Sequence, residues 1–323
     1  MSENFFDGRG YPKFKTRQRF KSFSYPPNQV KLEKNKVYLP SIGWMRFFKS
    51  RSIPDGFSLK TVTILSLADG WYMSIRIENT EVPQLNLQDL GQVKTTIGCD
   101  LGIKKLLALS NGELIENPQF EKRLSKRKTI RQRRASRKKR GSSNQKKAYA
   151  KLARVDQKIV NQREDYQWKI AHHLVRLADV IVLEDLNIQG MIRKCRAKQD
   201  EKASDPAPSH GAPGSASSKF LKNGQSAKRA LNRLIRDCSW GNLTEKIESV
   251  AAKFGSICVD VNPKFTSQKC SHCGHIEKEN RNKERFLCLN CGFLADADIQ
   301  ASINIGIKGL KTLGISQSKL LRV

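Results

Sequence analysis

Four cysteines and three carboxylates carry the chemistry that can be read directly from this 323-residue chain. Cys270-Ser271-His272-Cys273 and Cys288-Leu289-Asn290-Cys291 are two C-x-x-C pairs separated by fourteen residues, each followed by a glycine, Gly274 and Gly292. That spacing predicts a tetrahedral site for structural Zn²⁺, because each knuckle turn aims two sulfurs at one ion and leaves no ligand position for water. His272 and His275 are weaker candidates, since four thiolates already complete the shell. The acids sit at element ends. Asp100 closes the apolar run Thr96-Ile97-Gly98-Cys99, Glu184 closes Val180-Ile181-Val182-Leu183, and Asp298 opens Asp298-Ile299-Gln300-Ala301-Ser302-Ile303-Asn304-Ile305. Carboxylates at the ends of buried strands and on an adjoining helix can converge on Mg²⁺, and paired Mg²⁺ ions cut phosphodiesters. Singly, each acid also reads as a turn residue, a cap or a first-turn helix acid. Their joint order around the cysteine pairs points to a metal-dependent nuclease.

The elements that must hold these residues follow from periodicity and punctuation. Residues 1–92 read as a basic, aromatic arm followed by a small β-rich module, a sheet or partial barrel, with β-rich runs at 37–39, 61–65 and 71–77. In the arm and the start of the module, Phe14, Phe20, Phe23 and Tyr25 are expected to pack in the module's core. Strands follow at 95–100 and 105–110, with Asn111-Gly112 as a hairpin signal. Helical periodicity then runs through a hairpin over 120–175, its two helices joined near Gly141-Ser142-Ser143-Asn144. A buried strand ends at Glu184. Residues 195–228 read as a flexible linker rich in Ser, Ala, Pro, Gly and Lys. A helix over 240–254, a strand over 256–261, the cysteine module over 264–292, a helix over about 296–310 and a tail over 311–323 complete the chain. Strands alternating with helices in this way predict an α/β core carrying insertions over 93–263 and 293–310.

Charge narrows the partner. Lys plus Arg number 60 against 30 Asp plus Glu, a formal net charge of +30. Such a field favours polyanions through counterion release. Twelve of the twenty residues from Glu121 to Arg140 are Lys or Arg. Arg123, Lys126, Arg127, Arg131, Arg134 and Arg137 are the candidate contacts to a sugar-phosphate backbone. No apolar stretch of about 18 residues predicts a membrane span, and the first residues lack a secretory apolar core. The cysteines suit a metal site in a reducing compartment, so a cytoplasmic, nucleoid-associated location is expected. A tyrosine-type strand transferase would need metal-binding histidines in a His-hydrophobe-His motif, which is absent.

The chain resembles the TnpB family of insertion-sequence-associated nucleases, relatives of the compact type V CRISPR effectors. The stretches that carry the resemblance are Ile97-Gly98-Cys99-Asp100-Leu101-Gly102-Ile103-Lys104, Ile181-Val182-Leu183-Glu184-Asp185-Leu186, Thr266 to Gly274, and Ala297 to Ile305. The likeness covers about residues 11–308. It implies an RNase H-like (RuvC-like) core with an inserted basic helical hairpin and a zinc ribbon. It also implies Asp100, Glu184 and Asp298 as ligands of catalytic Mg²⁺, in all two ions, and Cys270, Cys273, Cys288 and Cys291 as ligands of Zn²⁺. Asp296 competes with Asp298 as third acid; Asp298 is preferred because it stands in the family's D-x-N-A frame, with Gln300 in place of Asn. The implied partners are a guide RNA from the element end and target DNA, with no membrane and no small-molecule cofactor. Relative to the family pattern the chain is expected to be shortened at its front. The runner-up reading is a guide-dependent RNA–DNA binding protein or repressor without cleavage.

Overall fold

The computed structural model describes residues 20–80, 87–196, 198–199, 220–221 and 223–322. Two compact units emerge, Met1–Val82 with Arg127–Lys158, and Pro83–Lys126 with Ile159–Val323.

The first unit contains two three-stranded antiparallel sheets. One is built from β1 (Ser22–Tyr25), β5 (Ser58–Ser66) and β6 (Trp71–Glu78), in the order β1-β5-β6; the other runs in chain order through β2 (Lys31–Glu33), β3 (Lys36–Leu39) and β4 (Gly43–Arg46). Side chains alternate across a strand, so Val62 and Ile64 point inward from β5 and join Val30, Val37 and Leu39 in one small core. Tyr25 packs against that core, but Phe20 and Phe23 are 63% and 40% exposed. The expectation that these aromatics pack inside fails for both: Phe20 precedes the first strand, and Phe23 lies on β1, an edge strand with one partner. Phe14 and the other residues of the arm up to residue 19 lie outside the described residues.

The second unit is a mixed α/β layer. Its five-stranded sheet has the order β13-β10-β7-β8-β9, from β13 (Ile257–Val261), β10 (Val180–Glu184), β7 (Thr96–Leu101), β8 (Lys105–Leu109) and β9 (Leu114–Glu116). The first three are parallel and the last three form an antiparallel meander. A strand buried on both faces reads as a continuous apolar run, and Val180, Ile181, Val182 and Leu183 of β10 are all fully buried. Asp179 fixes where β10 meets β7: its Oδ2 accepts from the backbone N–H groups of Lys94 and Thr95 at 2.9 and 3.0 Å.

Helices α1 (Phe120–Ser136) and α2 (Ser143–Leu177) form the expected hairpin. Its turn uses Gly141 in the left-handed region, and Ser142 Oγ accepts from Gln145 N at 3.1 Å. After β10 come the short α3 (Ile188–Met191) and a two-residue ladder, β11 (Lys198–Gln199) against β12 (Phe220–Leu221). Then α4 (Gln225–Cys238), α5 (Trp240–Phe254) and β13 follow. The linker expected over 195–228 is therefore too long at its end, since α4 already begins at Gln225; residues 200–219 of that linker lie outside the described residues. A ribbon of β14 (Arg281–Asn282), β15 (Arg285–Leu287) and β16 (Leu294–Asp296) leads into α6 (Ala297–Leu313).

The tail expected over 311–323 is not a tail over its described length. Helix α6 continues to Leu313, and Leu320 is buried with Ile303 and Leu310. Leu321 N donates to Thr96 O at 2.8 Å, and Ser110 Oγ donates to Leu321 O at 2.5 Å. The alternation of Ile315 and Leu320 with polar residues is too sparse to signal this.

Candidate active site and metal centre

Strand register brings two of the acids together. The β7–β10 ladder pairs Thr96 with Val180 and Gly98 with Val182. Two residues further along each strand, on the same face, stand Asp100 and Glu184 at the carboxyl ends of neighbouring parallel strands. The third acid arrives on α6. A Cβ added to Gly98 would lie 2.0 Å from Ser302 O and 2.6 Å from Gly306 N, so the helix crosses β7 in backbone contact. Further along α6, a Cβ on Gly309 would meet Val182 Cγ2 at 2.4 Å. Ser302 is thus pinned over Gly98, and Asp298, one helical turn earlier, stands over the Asp100 end of the strand. Because the obstacle at Gly98 is backbone, nothing can rotate away. Gly98→Ala is expected to cost about 3 kcal/mol or more, measured as a shift in the denaturant midpoint.

The three carboxylates feel one another. Burial first, then the charges of Glu184 and Asp298, push the Asp100 carboxyl up to about 7, partly offset by Arg281. Burial also raises Glu184, against the hydrogen bond from Thr266 and the charges of Lys308 and Arg281. Thr266 Oγ1 lies 2.6 Å from Glu184 Oε1. Arg281 Nη2, from the ribbon, donates to Asp298 Oδ1 at 2.6 Å. Asp296 is used differently. Its Oδ1 caps α6, accepting from the N–H groups of Asp298 and Ile299 at 2.9 and 3.1 Å. Of the two competing acids, only Asp298 bears on the Asp100 carboxyl.

Gln300 is fully buried and has both ends of its amide satisfied. Its Nε2 donates to Lys269 O at 3.0 Å and its Oε1 accepts from Ser271 Oγ at 2.9 Å. Asn304 Nδ2 donates to Thr266 O and Lys269 O at 2.8 and 2.7 Å. Helix α6 therefore grips the segment 266–271 that presents Thr266 to Glu184.

The cysteine module closes as two equivalent knuckles. Gly274 N and Gly292 N donate back to Cys270 O and Cys288 O at 3.0 and 2.9 Å, with both glycines in the left-handed region. The four sulfurs lie within 4.8 Å of one another. Cys270 and Cys291 sulfurs are 3.8 Å apart, and those of Cys273 and Cys288 3.5 Å. A tetrahedron with metal–sulfur bonds of about 2.3 Å has edges of roughly 3.8 Å, so these residues fit Zn²⁺. The backbone N–H of His275 lowers the Cys273 thiol, whereas crowding by the other sulfurs raises Cys291 and burial raises Cys270, so these thiols share their protons as one group. Both histidines are otherwise occupied: His272 stacks on Phe293, and His275 Nε2 is 3.2 Å from Glu277.

Among the described residues the acids do not form so tight a group as the four sulfurs. They do fit a hard divalent cation: an all-oxygen donor set at a buried strand end, with like charge that Arg281 offsets only in part. The six basic candidates remain on α1 and its exit turn. Arg123, Lys126, Arg127, Arg134 and Arg137 are exposed and Arg131 is partly buried; among the described residues none pairs with a carboxylate. Sequence reasoning did not link Thr266 or Arg281 to the acids. Neither has a periodic signal, since each acts by reaching from the ribbon to an acid on another element.

The fold and its sites define a mixed α/β protein with an acidic centre at parallel strand ends and a four-thiolate ribbon. Residues 74–194 match the family model described as "OrfB_IS605: Probable transposase", and residues 240–305 match "Cas12f1-like, TNB domain". The chain is 31% identical to "Putative RNA-guided DNA endonuclease InsQ" of Escherichia coli (strain K12), over 98% of this chain and 73% of that protein. It is 32% identical to "Putative RNA-guided DNA endonuclease" of Streptomyces pristinaespiralis, over 95% of this chain and 68% of the other. The chain belongs to the TnpB family. Among solved structures it is similar to the protein in a Cas12f1-sgRNA-target DNA complex, with 17% identity and a TM-score of 0.47; the match covers 77% of this chain and 46% of that one. The chain thus spans about half the length of that protein. Among the described residues no helix is long and apolar enough to cross a membrane.

Proposed function

We propose that this protein is an RNA-guided DNA endonuclease, with an RNase H-like (RuvC-like) core whose centre is Asp100, Glu184 and Asp298. The observation that supports it best is the electrostatic convergence of these three acids from β7, β10 and α6. Paired Mg²⁺ ions, when bound, would supply the Lewis acidity for in-line attack of water on a scissile phosphate. The chain's own residues do the rest. Asp100 and Glu184 present acceptors from adjacent strand ends. Thr266 orients Glu184 and favours its ionised form. Arg281 fixes the rotamer of Asp298, leaving the other carboxylate oxygen available. The cysteine site holds structural Zn²⁺ and keeps Thr266 and Arg281 in place.

Sequence choice is delegated to a guide RNA from the element end pairing with one strand of target DNA. The α1 residues Arg123, Lys126, Arg127, Arg131 and Arg134, with Arg137 just beyond the helix, contact the sugar-phosphate backbone of that heteroduplex. The test is plasmid cleavage by protein co-expressed with element-end RNA. Cleavage is expected with Mg²⁺ and is expected to stop with Glu184→Gln; equal cleavage by that variant would overturn the assignment.

Thr266→Val removes the hydroxyl that helps keep Glu184 ionised. It is expected to slow cleavage roughly tenfold at neutral pH, in line with a lost hydrogen bond to a charged group. The acid limb of the pH–rate profile should move to higher pH, since the hydroxyl lowers the Glu184 pKa. An unmoved limb would show that Thr266 does not act on Glu184.

A further inference from the structure

Helix α4 carries a second basic surface that none of the assigned sites uses. Arg229, Arg233 and Arg236 are all exposed. At about 100° per residue they fall within roughly 60° of one another around the helix. Among the described residues none of the three makes an ion pair, whereas the neighbouring Lys228 is committed to Met191 O. The opposite face is anchored: Asn232, Ile235 and Cys238 are buried, and Asn232 Nδ2 donates to Ile192 O at 2.7 Å. The stripe therefore stands on a fixed support.

The one acid of α4 does not neutralise it. Asp237 is buried and paired with Arg163 Nη2 at 3.1 Å. It also accepts from the N–H groups of Glu121 and Lys122 at 3.1 and 3.4 Å, capping the start of α1. The last turn of α4 and the first turn of α1 thus adjoin, which sets Arg236 beside the basic run that opens with Lys122 and Arg123.

We propose that Arg229, Arg233 and Arg236 form a binding stripe for a nucleic-acid sugar-phosphate backbone. It extends the basic surface at the start of α1 and deepens the nuclease reading on which it rests. From Arg229 to Arg236 the stripe rises about 10 Å at 1.5 Å per residue. One strand of a duplex offers a phosphate every 3.4 Å or so along its axis, so about three phosphates fall within reach. Guanidinium groups suit this ligand because their fork of donors matches phosphate oxygens. The contact reads charge and not sequence.

The experiment uses the full chain, zinc-loaded and without Mg²⁺, with a labelled 40-nucleotide structured RNA and a 40-base-pair DNA duplex of arbitrary sequence as probes. Binding is followed across a salt series. Replacing all three arginines by glutamine is expected to reduce the slope of log affinity against log salt by about two to three, at 0.7–0.9 per phosphate contact. Replacement by lysine should retain most of the slope, because the charges remain. A drop confined to RNA or to DNA supports the stripe and identifies its ligand; a drop with both assigns any phosphate backbone. Should the triple variant misfold, Arg233→Gln alone is expected to lower the slope by about one. An unchanged slope with both probes overturns the proposal, as does a lysine variant that falls as far as the glutamine one. Glu184→Gln serves as the separating control: it should stop cleavage and leave the slope intact, so failure of the nuclease reading is recognised independently.

Discussion

Asp100→Asn is expected to abolish plasmid cleavage and, in Mg²⁺-free buffer above neutral pH, to make the protein more stable. At the two-metal centre proposed for Asp100, loss of a charged oxygen removes several kcal/mol of transition-state stabilisation, a rate decrease of roughly a thousandfold or more. The stability gain comes from the same crowding that equips the site. Burial and the charges of Glu184 and Asp298 raise the Asp100 carboxyl to about 7. A raised carboxylate penalises the fold at every pH above its folded value, and the penalty disappears as pH falls through about 7 towards the unfolded range. At 1.36 kcal/mol per pH unit, a displacement of about three units sets an upper bound of about 4 kcal/mol. The wild type should therefore gain stability between pH 8 and pH 5.5, and Asp100→Asn should lose the part of that gain owed to Asp100, keeping the part owed to the raised Glu184 carboxyl. Denaturant melts at the two pH values check this. A variant no more stable than wild type at pH 8 would show that the three acids are not crowded.

The second large effect concerns the ribbon. Cys270→Ser with Cys288→Ser is expected to reduce zinc content from one ion per chain to near zero and to open residues 264–292 to protease. Structural zinc contributes about 10–16 kcal/mol to small metal-folded modules at neutral pH, and the apolar core of this one is small. Its own core is Phe286 packed with Cys270, Cys288 and Ala297. The consequence should reach the acids. Gln300 and Asn304 clasp Lys269 O, Thr266 touches Glu184, and Arg281 holds Asp298. Without the metal these contacts lose their support, so cleavage should fall along with zinc content, while β7, β10 and α5 stay protected in hydrogen exchange. A full zinc complement in the double variant would refute the ligand set.

How much of this can be read from the chain depends on whether the cause is local. Val180 to Leu183 announce a strand buried on both faces, and the acid that follows is placed at its end. The cysteine knuckles are equally local, since spacing and glycines are both sequence features. Asp296 and Asp298 are harder: both stand at the start of a helix, and what separates them, the capping bonds that Asp296 accepts and the contact of Arg281 with Asp298, appears only in three dimensions. The start of α4 is hidden because its first turn, Gln225 to Lys228, is polar and follows a stretch of linker composition. Gly98, Gly306 and Gly309 look like ordinary glycines in a strand and a helix. Their role lies in contacts across the layer, which no pattern within one segment records. Arg281 and Thr266 are of the same kind.

The pairing of Leu321 with Thr96, and of Ser110 with Leu321 across 211 residues of sequence, bears on how the protein is made. Strand β7 emerges early from the ribosome, yet the segment that lies against it is synthesised far later. Contacts of such high sequence separation form slowly because loop closure must be achieved before they stabilise anything. The first residue of β7 thus gains this neighbour only once residue 321 has been made, and a chain halted earlier would carry the strand that bears Asp100 without it.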